Sequence, residues 1–292
     1  MKLVLAACRS TPGGPATDLY PDPDQPLIDA ALAGAGVDAT TVAWDDPDVD
    51  WRGFDLAVIR STWDWVDQPA AYLAWARTTA GATSLWNRAE AIAWNIDKRY
   101  LRALQARGIL VVPTEWVVDA SQWSAPDHEF VVKPSVSAGA RETARYSAGA
   151  EESGEHVGRL LALGQTVMVQ PYLAGVDVEG EVKLMFIDGG FSHAVRIGTQ
   201  LPLGAGVLDR AWERPIPVEP ATPSATQVNA AHRVLAAVEA EVGTPLLYAR
   251  VDLVPGPAGE PLLAEVELID PILFLGQSEP AAGRLAAAIK RL

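Results

Sequence analysis

The chain has one cysteine, Cys8, so no disulfide can form within it, and a reducing, cytoplasmic compartment is the expectation. It has no apolar run near the ~18 residues that a membrane helix requires. LVLAAC at positions 3–8 has the look of a lipoprotein cleavage site. Its apolar part falls short of the ~7–15 residues of a signal h-region, so Cys8 reads instead as a small buried residue closing the first strand. Positive charge is also scarce. The net charge is −14 and the pI about 4.7, which argues against nucleic acid and anionic membrane as partners. Three catalytic or binding signatures are absent as well: GxxxxGK[ST], GxGxxG and GxSxG. The four histidines are scattered and form no metal-type pair. Only five of the 23 basic residues are lysine: Lys2, Lys98, Lys133, Lys183 and Lys290. A lysine in mid-chain therefore marks a place where a compact point charge is wanted.

What is present is enough apolar material for real cores, 49% of residues, in a chain long enough for about two domains. The most informative stretch is Tyr248 to Phe274. Two apolar runs of strand type, YARVDLV and PLLAEVEL, flank the turn-rich PGPAGE and predict a β-hairpin. Charges interrupt both runs at alternate positions: Arg250 and Asp252 on the first, Glu265 and Glu267 on the second. Alternate residues of a strand share a face, so one arginine and three carboxylates can converge on one side. Three hard oxygen donors suit Mg²⁺, and an arginine suits phosphate. The plain alternative is an edge hairpin with a solvated face and incidental ion pairs.

The remainder supplies context in order. KLVLAA, TTVAW and DLAVIR read as strands separated by a helix at 25–35, a small parallel sheet of Rossmann type. Ligands of such sheets bind at the carboxyl ends of strands. There the first strand offers Arg9, Ser10 and Thr11. The third runs into Arg60, Ser61, Thr62, Trp63, Asp64 and Trp65, the best substrate-side candidate; its plain reading is a capped helix start with packed tryptophans. A helix at 69–79 and the strand TSLWN follow. RAEAIAWNIDKRYLRALQARG predicts one long amphipathic helix stopped by Gly108. The strand EFVVK ends at Lys133 and opens into PSVSAGAR, a loop of small residues that lets backbone N–H groups approach phosphate. A helix at 154–163 precedes the strand TVMVQPYL. GVDVEGEVKLMFIDGGFSHAVRIG predicts two long antiparallel strands turning at Asp188-Gly189-Gly190. Residues 198–222 are rich in Gly and Pro and predict an irregular loop near a site. Helices at 223–242 and from Pro280 to Leu292 complete the chain.

The order of these features resembles the ATP-grasp superfamily, which clamps ATP between two lobes of mixed helix and sheet behind a smaller Rossmann-like domain. The resemblance covers nearly the whole chain and implies three regions: 1–87 as the substrate-side domain, 88–168 as the small lobe and 169–292 as the large lobe. It implies ATP and Mg²⁺, two ions, with Mn²⁺ as a substitute. Lys98 and Lys133 match the two ATP-contacting lysines. Ser135, Ser137 and Gly139 lie in the loop over the phosphates. Gln170, Tyr172 and Leu173 match the adenine hinge, and Asp177 the acid on the ribose. Arg250 matches the phosphate-binding arginine, with Asp252, Glu265 and Glu267 as metal ligands. Gln170 stands where glutamate is common and Glu267 where asparagine is commoner.

The phrases VIRSTWDW, WNIDKRYL, VVKPSVSAGARET, VMVQPYL and FSHAVRIG are similar to a subgroup of the glutathione-synthetase-like branch. That subgroup includes a cyclo-ligase that closes O-ureido-serine to cycloserine. The resemblance implies an ADP-forming carboxylate–amine ligase working through an acyl phosphate on a small amino-acid-like substrate, with Arg196 and Lys183 as further catalytic candidates. Arg60, Ser61, Thr62 and Asp64 would hold the substrate. A homo-oligomer is compatible with the sequence. An intermolecular peptide ligase, a kinase and a non-catalytic nucleotide-binding module are the alternatives. Glu265→Ala or Arg250→Ala is expected to abolish turnover without unfolding.

Overall fold

Runs that are apolar on both faces need cover on both sides, and KLVLAA and LAVI get it. In the computed structural model, which describes residues 1–8, 22–208 and 217–292, β1 (Lys2–Ala7), β2 (Asp38–Ala43), β3 (Leu56–Ile59) and β4 (Ser84–Trp86) form a fully parallel sheet in the order β2-β1-β3-β4. Helices α1 (Gln25–Gly34) and α2 (Pro69–Ala82) connect them. Arg9, Ser10 and Thr11 lie outside the described residues.

The single long helix expected after Asn87 is two helices, α3 (Ala89–Asn95) and α4 (Tyr100–Ala106). Amphipathic periodicity runs through the break, but local bonds win over it. Asp97 accepts from the Arg99 amide, 2.9 Å, and the Lys98 amide leaves the helix to donate to the Ser135 carbonyl, 2.8 Å.

The second sheet is antiparallel. It contains β5 (Glu115–Val117), β6 (Phe130–Pro134), β7 (Ala144–Tyr146) and β8 (Val167–Pro171) in the order β5-β8-β6-β7, with α5 (Ser153–Ala162) packed on it. β8 spans position 168, where a boundary between lobes was expected. GVDVE, expected to extend a strand, forms the short helix α6 (Gly175–Glu179). Gly180, at φ +75°, ends it: a Cβ there would stand 2.7 Å from the Ile197 carbonyl oxygen.

The third sheet holds β9 (Glu181–Ile187), β10 (Gly190–Ile197) and β11 (Val218–Ala221), then, after α7 (Ala225–Val242), β12 (Tyr248–Pro255) and β13 (Pro261–Glu267). The order β11-β10-β9-β12-β13 is antiparallel throughout. Asp188 and Gly189 turn the β9–β10 hairpin with φ of +51° and +73°. β11 is a short strand inside the stretch expected to be irregular; residues 209–216 of that stretch lie outside the described residues. The last helix, α8 (Ala281–Arg291), packs on α1, so the end of the chain returns to the first layer.

Side chains close the end of the β12–β13 pair beyond the backbone bridge of residues 110–112 to Leu263. Asn87 donates to the carbonyls of Tyr248 and Leu268, and Asn95 to that of Val266 while accepting from the Leu268 amide. The Tyr100 hydroxyl serves both the amide and the carbonyl of Val266. These groups replace a neighbouring strand and fix the two helices against the charged hairpin.

Candidate active site

Strand register builds the site. Arg250 lies opposite Glu267, and Asp252 opposite Glu265 on one side and Lys183 on the other. All five therefore project from one face of the third sheet. β12 is flanked by β9 and β13, which overturns the edge-hairpin alternative: Arg250, Asp252 and Lys183 are buried. Arg250 grips Asp252 with two bonds, 2.8 and 2.9 Å, and also bonds Glu267. Lys183 bridges Asp252 and Glu181. Lys98 comes in from the break between α3 and α4. It is buried, stands 3.1 Å from Glu265 and donates to the Ser137 carbonyl.

The protonation states follow from this pairing. Burial alone would raise Asp252, but the Arg250 and Lys183 charges outweigh it and hold the carboxyl below its usual range. Burial opposes charge on Arg250 and Lys183 too, and their carboxylate neighbours more than offset it. Glu267, crowded by burial and by Glu265 and Asp252 despite Arg250, is pushed up to about 7. Lys133 differs: burial lowers its pKa, and among the described residues its side chain makes no ion pair and no hydrogen bond. It lies within electrostatic reach of Glu265 and Glu181.

The loop after Lys133 closes this face. Ser135 is buried between the Thr166 carbonyl and the Lys98 amide. Gly139, Ala140 and Glu142 all have φ between +56° and +61°, and such backbone turns amides toward an anion. The loop is tied outward as well: Arg141 pairs with Asp67 of the first layer, and Glu142 and Thr143 bond Leu208. Gln170 is buried and donates to Thr114 Oγ1, 2.8 Å. Leu173 packs beside Val112, Val254 and Leu262. Asp177 accepts from the Tyr172 hydroxyl, Thr199 and Arg145, whose guanidinium stacks 3.3 Å over the Tyr172 ring.

Other predicted residues go elsewhere. Arg196 is opposite Val182 and therefore on the far face of the sheet, where it lines a separate cavity with Glu179, Gln227 and Pro255. The structure does not bring it to Arg250. Arg60 is almost fully buried, its Nη2 3.6 Å from both Asp22 and Asp24. Asp64 accepts from Trp44 Nε1, 2.7 Å, and Ser61 bonds Cys8 through backbone. Thr62 donates to Asp270, 2.8 Å.

Asp270 escaped the sequence reading. Its signal was an acid between Ile269 and Pro271 in an otherwise apolar stretch. Lys98, Glu265, Glu267, Ser137, Ile96, Trp65 and Asp270 line one cavity. It links the charged hairpin to the first layer.

The donor set fits a hard divalent cation. Glu265 and Glu267 keep 26% and 29% of their side-chain surface and line the cavity, with Asp252 sealed beneath them. Among the described residues no three carboxylate, histidine or cysteine groups form a cage by themselves, so a metal here would share its coordination with ligand oxygens.

The chain is similar to known proteins along nearly its whole length. Residues 3–87 match the family model described as the N-terminal domain of D-cycloserine synthetase DcsG. The cycloserine biosynthesis protein DcsG of Streptomyces lavendulae is 37% identical over 291 residues, covering 94% of this chain and 95% of that protein. The crystal structure of D-cycloserine synthetase DcsG superposes with a TM-score of 0.86 at 33% identity, over 100% of this chain and 99% of that one. The D-alanine–D-alanine ligase of Bacillus anthracis complexed with ATP gives 0.69 at 14% identity, over 100% and 96%. The ATP-grasp ligase PsnB gives 0.62 at 18%, over 99% and 98%. These last two speak to the fold.

Proposed function

The chain belongs to the DcsG family of ATP-grasp ligases, enzymes that join carbon to nitrogen, and from that membership we propose that it activates the carboxylate of a small amino-acid-like substrate with ATP and Mg²⁺ and closes that substrate on itself, O-ureido-serine to cycloserine. The observation that carries the reading is the charge array: Lys98, Lys133, Lys183 and Arg250 interleave with Glu181, Asp252, Glu265 and Glu267, and among the described residues the Lys133 ammonium has no partner. A polyanion that brings its own cations completes such an array.

Each region then has a task. Residues 88–168 cover the phosphates through Ser135, Ser137 and Gly139. Residues 169–292 hold the adenine and ribose through Gln170, Tyr172, Leu173 and Asp177 and present the charged hairpin. Residues 1–87 close the substrate side with the segment that carries Arg60, Ser61, Thr62 and Asp64; Arg60 is held by Asp22 and Asp24 and Thr62 by Asp270, so this segment shapes the pocket from behind. Glu265 and Glu267, with Asp252 behind them, would hold two Mg²⁺, or Mn²⁺ in their place, which when bound screens the phosphate oxygens. Lys98, Lys133 and Arg250 offset charge on the transferring phosphoryl group. The substrate carboxylate forms an O–P bond as the bond to ADP breaks. The oxygen-linked nitrogen of the substrate attacks the acyl carbon, and phosphate leaves with the C–O electron pair while the nitrogen gives up its proton. The carbamoyl group on that nitrogen has no place in the cycloserine ring, so water must remove it as carbon dioxide and ammonia. The array positions and neutralises, and no side chain serves as a covalent nucleophile.

The test is release of ADP and phosphate from Mg·ATP with amino acids offered singly and then in pairs, O-ureido-serine among the singles. Both products with O-ureido-serine alone, together with cycloserine, support the reading. Release only with pairs would replace it with a two-substrate ligase. ADP without free phosphate would make the enzyme a kinase.

A further inference from the structure

Asp270 is a carboxylate in an unusual position. It is 7% exposed, and among the described residues no cation stands within ion-pair distance of it. Its donors are neutral: Thr62 Oγ1 at 2.8 Å on one oxygen and Trp65 Nε1 at 3.3 Å on the other. The Arg60 guanidinium acts on it only through space and is turned to Asp22 and Asp24. A buried carboxylate with no cation in contact is costly, and the cost is relieved by protonation or by a cation.

The surroundings fix this group in place. The Trp63 indole donates to the Asp270 carbonyl, 2.9 Å, and the Tyr248 hydroxyl to that of Ile269, 2.7 Å. Because Thr62 donates to Asp270, the Tyr72 hydroxyl, 2.8 Å from Thr62, donates in turn to Thr62. The carboxyl is thus aimed by a relay of two buried side chains, Tyr72 and Thr62, on one oxygen and by Trp65 on the other. It lines the same cavity as Lys98, Glu265 and Glu267, whose apolar lining is Ile96, Ala138 and Ile269.

We infer that Asp270 receives the ammonium group of the substrate, with the reacting carboxylate at the Lys98 end of the cavity, and so confines the enzyme to acids that carry an amine beside the carboxylate. The inference rests on the proposed reading only in that a carboxylate is activated at the charged hairpin; it does not depend on which acid. Asp270 is then a substrate-binding residue, and Thr62 and Tyr72 position it. Neutral donors suit this role, since a resident lysine or arginine would compete with the substrate for the charge.

The test uses the full chain and acids in matched pairs, with and without the amine: O-ureido-serine with 3-(ureidooxy)propanoate, serine with 3-hydroxypropanoate, alanine with propanoate. Phosphate release is followed at saturating Mg·ATP. In the wild type the acid that is turned over best should exceed its amine-free partner by at least about 100-fold in kcat/KM, because the partner leaves a buried charge unmet. In Asp270→Asn that preference should shrink to within about tenfold, with KM for the amino acid rising and KM for ATP unchanged. Thr62→Val, which loosens the aim but keeps the charge, should raise the amino-acid KM and retain the preference. If the wild type uses amine-free acids as well as amino acids, or if Asp270→Asn depresses both members of a pair equally, Asp270 does not bind the amine. Turnover of a different amino acid in place of O-ureido-serine would overturn the cycloserine reading and leave this assignment standing.

Discussion

Two buried sets of carboxylates in this protein are treated in opposite ways. On the third sheet, Asp252 and Glu267 are bound by Arg250, Asp252 also by Lys183, and Glu265 by Lys98. At the joint with the first layer, the partners of the Asp270 carboxylate among the described residues are a hydroxyl and an indole. The first arrangement surrounds its carboxylates with resident cations and is arranged for a ligand with charges of both kinds, a metal–phosphate. The second keeps a negative position open for a simple cation. The difference shows in protonation: Asp252 is held low by its cations, whereas burial pushes Asp270 up to about 7.

The sharpest way to break the comparison is to take the cation from the paired set. Arg250→Ala leaves Asp252 and Glu267 short of their shared partner inside the sheet. Removing one member of a buried pair costs about 3–5 kcal/mol, so this variant should lose stability in urea as well as all measurable turnover. That differs from the expectation drawn from the sequence, where Arg250 and Glu265 were equivalent. Glu265, on the rim of the cavity, should behave as first expected: Glu265→Gln keeps its melting temperature within a few degrees while kcat falls about 10²–10³-fold. Equal loss of stability in both variants would mean that the paired set is no more sealed at Arg250 than at Glu265.

The unpaired set predicts a pH effect of its own. Asp270 has a folded pKa of about 7 against an ordinary value of 3.8. Between these values the folded chain holds a proton that the unfolded chain has lost, so stability falls as pH rises and levels off above 7. Asp270→Asn cannot ionise. Its stability relative to the wild type, without ligand, should therefore climb by a few kcal/mol between pH 4 and pH 8. Glu267 also titrates near 7, but it does so in both proteins and cancels in the difference. A difference that stays flat with pH would show that Asp270 is already compensated.

The hairpin charges were readable in the sequence because strand periodicity places alternate residues on one face, and the register confirms it. The lysines were readable because they are rare. What periodicity could not show was where long-range bonds override it. Residues 88–108 have helical spacing throughout, yet the chain breaks at Lys98 because Ser135, far along the chain, accepts its amide. GVDVE continues an apolar run, yet it coils before Gly180. The cluster RSTWDW stood out in the sequence, but not its geometry. Thr62, Trp63 and Trp65 all reach to Asp270, more than 200 residues away, so the cluster anchors a residue that nothing nearby in sequence announces.

The smallest predicted effect tests whether register, rather than charge alone, decides membership of the site. Arg196 and Lys183 both lie on the β9–β10 hairpin and both suit an acyl phosphate by charge. Lys183 is opposite Asp252 and buried in the array; Arg196 is opposite Val182, exposed on the other side of the sheet. Side chains on opposite faces of one sheet cannot meet a common ligand. Arg196→Ala should therefore change kcat and both KM values less than about twofold and stability by no more than about 0.5 kcal/mol, as for an exposed surface position. Lys183→Ala strips a cation from Asp252 and should cost well over tenfold in kcat/KM. A large loss of kcat in Arg196→Ala would mean that the β9–β10 hairpin re-pairs when substrate binds, because no rotamer change can carry Arg196 through the sheet.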